Sequence, residues 1–167
     1  MTPKINNSHI IPRAKNLIQN NQTMTLATTD KNNAWAAPVF YVNTGARFYF
    51  FSNPNARHIE EALASGQAAC AIYAQDASWQ SLMGLQISGK ILIAPGSGES
   101  SKALFAYVKK FPTVKTFFSD IKNISLNNFS RKFHAKLYCF IPKFIFFMDN
   151  SVSFGFREEI KKDTLFK

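Results

Sequence analysis

A chain of 167 residues that is 46% hydrophobic, with only seven glycines and seven prolines, has the composition of one globular domain. That excludes a disordered or fibrous protein, and a chain of this length buries roughly two-thirds of its unfolded surface. Twenty basic residues against ten acidic ones give a formal charge of +10, which suits nucleic acid, an anionic membrane surface, a phosphorylated small molecule or a solvated lysine coat.

In chain order, Ile10 or Ile11, Ala14, Leu17 and Ile18 share one face of a short amphipathic N-terminal helix. Thr23 to Thr29 alternate as a first strand, "DKNN" turns, and "AWAAPVFYVN" runs back as a second. Pro38 in that strand belongs at an edge or a bulge, where its missing N–H does no harm. "TGA" turns into a third strand, "RFYFFS", and a helix follows over Asn55 to Ala64, stopped by Ser65-Gly66. "QAACAIYA" is the fourth strand. "LMGLQISGKILIA" is a long fifth one, with Gly84 and Gly89 as bulge candidates. Ser97 or Ser100 can cap the next helix, which turns Leu104, Tyr107 and Val108 to the core; Pro112 breaks it before a second short helical stretch through Phe118. "ISLNNFSRK" reads as loop, "HAKLYCFIP" and "KFIFFMDN" as two strands joined through Pro142-Lys143, and 151–167 as a polar tail that frays.

Six or seven strands in meander order, with helices between them, predict a mainly β (α+β) fold: a small antiparallel β-barrel with peripheral helices, in one domain with its core over about residues 23–150. So small a barrel holds no large cavity, so a ligand is expected on its outside or at a subunit interface. Cys70 and Cys139 lie in apolar runs without metal-ligand spacing and read as reduced core thiols. The N-terminus lacks the continuous apolar run of a signal peptide, and no segment reaches transmembrane length; the expectation is a soluble, cytoplasmic protein.

The sequence has no GxSxG, Walker loop, HExxH or CxxC, and His9, His58 and His134 are too scattered for a metal set. One stretch stands out, "FYFFSNPNARHIEEALASG". Here Arg57 and His58 open a helix at its positive end, where cations are disfavoured by up to about 1 kcal/mol. Either the pair is solvated and matched by Glu60 or Glu61, or an anion sits there. With Asn55 as cap, free first-turn N–H groups, the Arg57 fork and a His58 donor would suit a phosphate.

The segments "LATTD", "AWAAPVFYV", "FYFFSNPNARHIEEAL" and "AACAIYAQDASWQSLMGLQISGKI" together resemble the pyridoxamine 5'-phosphate oxidase-like FMN-binding split barrels. The resemblance implies that Ala36, Ala37, Pro38 and Val39 line the flavin ring and that Phe51 and Ser52 form the pair at the end of the third strand. It implies further that Arg57 grips the FMN phosphate with His58 where Lys is common, and that Gly84 to Gln86 lie near the ring's polar edge. It also implies a homodimer with the cofactor between subunits and, for an enzyme, hydride transfer to or from a small-molecule substrate. "AYVKKFP" and "DNSVSFGF" are similar to a branch of small bacterial split-barrel proteins. The chain departs from the true oxidases at Tyr41, where they carry Lys, and at 111–115, where their Arg-Pro-x-x-Ser element reads Phe-Pro-Thr-Val-Lys; their C-terminal Arg-x-His motif has no counterpart. Oxidation of pyridoxamine 5'-phosphate itself is therefore not expected.

Alternatives remain open. FAD and the deazaflavin F420 would present phosphate to the same turn as FMN. A non-catalytic protein could carry flavin or haem, the latter with His9 or His134 as axial ligand. Trp79 is either a packing anchor or a ring stacked on flavin across the dimer, and Gln86 faces either water or the flavin's pyrimidine edge. Nucleic acid is not expected, since there is no helix-turn-helix signature and no strand interleaving Arg with exposed aromatics.

Overall fold

Alternation of apolar residues produces five strands where it predicts them: β1 (Thr23–Thr29), β2 (Ala34–Thr44), β3 (Arg47–Ser52), β4 (Ala68–Tyr73) and β5 (Met83–Ile93). The structure, a computed structural model, describes residues 7–75, 78–96 and 98–167. β6 (Lys136–Asp149) and β7 (Arg157–Glu159) complete a seven-stranded antiparallel sheet ordered β3-β2-β1-β4-β5-β6-β7. Because β3 also pairs with β6, six strands close into a barrel and β7 is left as an appendage. The expected meander is thus corrected: after β3 the chain crosses over, and β4 pairs with β1 instead of its predecessor.

Two further expectations about strands change. The predicted last pair is one continuous strand, running through Pro142. Pro142 lies after the β3 pairing ends at Phe140 and before β7 pairs at Phe146, next to a bulge in β6 itself whose extra residue is Lys143, so its missing N–H costs the ladder little. Of the two bulge candidates Gly89 lies at the register shift, opposite the bulge rather than as its extra residue, and Gly84 continues the regular register. Pro38 of β2 pairs only with β1, at Thr25, since the β3 pairing starts at Tyr41; it sits at a free edge, as its chemistry requires.

The helices cover the barrel from two sides. α1 (Asn7–Asn20) lays Ile10, Ala14, Leu17 and Ile18 on the barrel core, and α2 (Arg57–Ser65) adds Ile59 and Ala62. Gly66 ends α2 in the left-handed region at φ 67°, its N–H bonding Ala62 O at 3.0 Å. α3 (Gly98–Lys110) buries Leu104, Tyr107 and Val108 as predicted. Of its cap candidates, Ser97 lies outside the described residues, and Ser100 sits inside the first turn with its hydroxyl on the Pro95 carbonyl. After a 3-10 segment, Pro112–Phe117, the predicted loop is instead α4 (Leu126–Phe133), whose cap Ser125 accepts from the Asn128 N–H at 3.2 Å. α3 and α4 enclose a second apolar cluster with Val42, Tyr49 and Leu137.

Residues 151–167 are not a frayed tail. They hold β7 and α5 (Lys162–Leu165), bury Phe156, Ile160 and Leu165 in the barrel core, and set the Phe166 ring 6.0 Å from that of Phe48. The fully buried Asp149 fixes the approach to this segment: it accepts from the Ser151 N–H and hydroxyl and pairs with Arg13 of α1.

Candidate functional site

The turn after β3 is built by its asparagines. Asn53 accepts the Asn55 N–H at 2.8 Å on its side chain and the Ala56 N–H at 3.0 Å on its carbonyl, the usual use of a short amide in a turn. The helix therefore starts later than predicted. Its N-cap is Ala56 rather than Asn55, with no side-chain cap bond. Helical bonding begins at the Ile59 N–H, and the N–H groups of Arg57 and His58 take no acceptor among the described residues. An uncapped first turn of this kind leaves donors for an anion.

Arg57 is already matched. Its Nε donates to Glu61 Oε1 at 2.6 Å, one helical turn away, and Glu61 Oε2 accepts the Thr28 hydroxyl at 2.7 Å. The guanidinium lies over the Trp35 ring at 4.7 Å, and its Nη2 approaches Asp30 at 3.7 Å. The Arg57 and Thr28 hydrogen bonds hold the Glu61 carboxyl below its ordinary range. The cation at the positive helix end is thus compensated by Glu61 and Asp30, and the exposed side chain is held through Nε with its guanidinium over Trp35. Glu60, the other predicted partner, is exposed and makes no bond to Arg57 among the described residues.

His58 is a different matter. Half-buried, its Nε2 is 2.9 Å from the Ser52 hydroxyl, and burial, opposed by the nearby Glu61 charge, pushes its pKa below 6.5. At neutral pH it is a neutral hydrogen-bonding partner of Ser52 rather than a second cation. Phe51, the predicted companion of Ser52, points to the other side. Its ring stacks on Phe129 of α4 at 3.8 Å and meets Tyr107 edge-on at 5.1 Å.

β2 presents Ala36 and Pro38 outward and turns Ala37 and Val39 into the barrel. Gln86 of β5 is also outward, and the pairings Pro38–Thr25, Thr25–Ala71 and Ala71–Gln86 put it on the same outer face, about 14 Å from Pro38 at ordinary strand spacing. Gln86 accepts from Arg157 Nε at 3.0 Å. Gly84 is buried, and a Cβ there would stand 3.1 Å from Ile72 O and 3.2 Å from Tyr73 Cβ. The outer face deepens into a groove of about 940 Å³ floored by Ala27, Ala69 and Ser88 and edged by Lys90, Lys143 and Lys162. Trp79 is exposed and edge-on to Phe154 at 5.9 Å. The structure therefore brings Ser52, Arg57 and His58 together and places Ala36, Pro38 and Gln86 on one face; Phe51, Ala37, Val39 and Gly84 serve packing.

Thr28, Asp30 and Trp35 were not legible as members of this site. The Arg57–Glu61 spacing of four was visible, but nothing local announces that β1 supplies Thr28. At the positions where the true oxidases differ, Tyr41 is sealed inside the barrel with its hydroxyl on Ile18 O at 2.7 Å, and Phe111 packs on Phe40 and Tyr107. Among the described residues no group of three His, Cys, Asp or Glu side chains could hold a metal, and no helix is long and apolar enough to cross a membrane.

Similar folds carry different cofactors. A haem-binding protein from Mycobacterium smegmatis superposes with a TM-score of 0.70 at 16% identity, over 93% of this chain and 59% of its own. A FAD-binding protein from Mesorhizobium loti gives 0.59 at 14%, over 80% and 90%. HutZ, the haem storage protein of Vibrio cholerae, gives 0.61 at 14%, over 80% and 90%. This chain thus spans about three-fifths of the mycobacterial protein's length, and at such identities the likeness is one of fold. A search of curated proteins finds no match. The sequence profile of the pyridoxamine 5'-phosphate oxidase family, however, matches residues 10–123, more than half of the molecule, and with the closed split barrel this places the chain in the pyridoxamine 5'-phosphate oxidase family.

Proposed function

We propose that this protein binds FMN as a cytoplasmic homodimer and works as a flavin-dependent oxidoreductase on a small organic substrate. The observation that carries the reading is the uncapped first turn of α2, with the Ser52–His58 pair and the exposed Arg57 guanidinium around it. These groups fit a phosphate: two backbone N–H donors, a guanidinium already oriented, and an imidazole that donates from one ring nitrogen when neutral and from both once it takes a proton. The fit is moderated by Glu61 and Asp30, whose charges offset part of Arg57's attraction.

The ring would lie on the outer face, where Ala36 and Pro38 leave the β2 backbone open. Gln86 would exchange Arg157 for the pyrimidine edge. A bound flavin supplies hydride transfer at its N5; the chain's own residues position it and cover it. Pyridoxamine 5'-phosphate is a poor candidate substrate, since Tyr41 is sealed in the core and Phe111 is committed to packing. FAD and F420 share the phosphate and fit the same turn.

Haem is the second reading. One feature favours it: exposed His134 shares a surface basin of about 440 Å³ with Ser130 and Lys136, a histidine beside a cation suited to a propionate. Exposed His9 is the other candidate ligand.

The deciding experiment is a visible absorption spectrum of freshly purified protein, repeated after adding FMN and desalting. A retained flavin spectrum near one per chain is expected. A colourless protein that also releases added FMN would overturn the proposal, and a Soret band would put haem in its place.

A further inference from the structure

The helical cover of the barrel leaves a gap of its own, apart from the α2 turn and the outer face. Between α3, the 3-10 segment and α4 lies a groove of about 510 Å³, within the roughly 300–1,000 Å³ of small-molecule sites. Leu104 and Val108 form its floor, both nearly inaccessible to solvent, and Leu126 lines it from the start of α4. Phe105 stands beside it, 74% exposed, on a helix whose other large apolar residues are buried. An aromatic ring left in water next to an unfilled apolar groove is an unusual arrangement for a stable surface.

The charge around the groove is one-sided. Lys109 and Lys115 line it, and among the described residues no Asp or Glu does. Neither lysine has an ion-pair partner among the described residues. An apolar floor with ammonium groups and no carboxylate complements one kind of small ligand, an alkyl chain ending in an anion.

We propose that this groove binds a fatty acid, its chain against Leu104, Val108 and Phe105 and its carboxylate at Lys109 and Lys115. The volume suits a medium chain, on the order of ten carbons. Each methylene seated in the groove should raise affinity by up to about fourfold, until the groove is filled.

Calorimetric titration of the full chain with decanoate, below its micellar concentration, tests this. Saturable one-to-one binding is expected, with affinity rising from octanoate to decanoate and levelling off for longer chains. Decanol should bind about fivefold more weakly, and the double variant Lys109→Gln/Lys115→Gln should abolish that difference. Phe105→Asp changes a side chain already in water, so folding is preserved; it should weaken decanoate binding by about tenfold or more. Phe154→Ser removes an exposed aromatic that does not line the groove and should change nothing. Absence of saturable binding, equal affinity for decanol in the unaltered chain, or an equal loss in Phe154→Ser would each overturn the proposal. So would co-sedimentation with anionic phospholipid vesicles without binding of free decanoate, which would make the groove a membrane contact.

Discussion

His58 and Arg57 are neighbours in sequence with opposite electrostatic situations. Burial lowers the His58 pKa, so on acidification the unfolded chain takes up this proton first, near pH 6.5, while the folded imidazole resists. Stability contributed by neutral His58 is complete above pH 6.5 and is lost as pH falls below it towards the folded pKa. Urea midpoints measured between pH 5 and 7.5 should drop on the acid side, and His58→Asn should flatten that drop. A phosphate beside the ring would reverse the preference for the neutral form, so FMN affinity should rise as pH falls from 7.5 to 6 and lose this dependence in the same variant. Arg57 stays charged throughout. Arg57→Ala should weaken FMN binding by about tenfold in a fluorescence titration, the worth of a charged hydrogen bond, and unchanged affinity would remove Arg57 from the site. The sequence exposed the Arg57–Glu61 pair through its spacing. It did not expose His58 as neutral, because that depends on burial set by residues far along the chain.

At the scale of elements, the strands that alternate cleanly were readable and the exceptions have physical causes. β6 reads as two strands because Pro142 ordinarily ends one; the strand continues through it with a bulge at Lys143, opposite the Ser88–Gly89 step of β5. The close approach of the two strands there depends on glycine. A Cβ on Gly89 would collide with the Ile141 carbonyl oxygen and press on the Phe140 ring, so Gly89→Ala should cost about 1–3 kcal/mol in denaturant unfolding. α4 was hidden because "SLNNFSRK" is rich in Asn and Ser, which favour turns. Its apolar residues at 126, 129 and 133 do follow helical spacing, and tertiary packing of Phe129 on Phe51 decides the matter. Ser125→Ala should remove about 1 kcal/mol by loss of the cap, seen as a lower melting temperature.

Across the whole molecule, the outer face carrying Thr25, Ala27, Ala69, Ala71 and Ser88 is made of small side chains flanked by exposed Tyr73, Phe144 and Phe146. A shallow groove floored by small residues and bordered by aromatics suits a second copy, the arrangement proposed above for the flavin. Ala71→Glu would bury a carboxylate in that contact and should give a monomer by analytical ultracentrifugation, with flavin retention lost alongside. A monomer in the unaltered protein would remove the dimer from the proposal. The barrel and its helices were legible in outline, since hydrophobic alternation fixes strands; the crossover from β3 to β4 was not, because strand order depends on pairings distant in sequence.

That crossover governs how the protein reaches its fold. Closure rests on residues 48–52 meeting residues 136–140, so until β6 is made the sheet of β1 to β5 has an open rim at β3. Bringing such distant segments together is entropically slow. Until β6 arrives, the β3 backbone is a template for pairing with other chains. The same long-range seam that closes the finished barrel should make its assembly the step most sensitive to chain concentration and to chaperones.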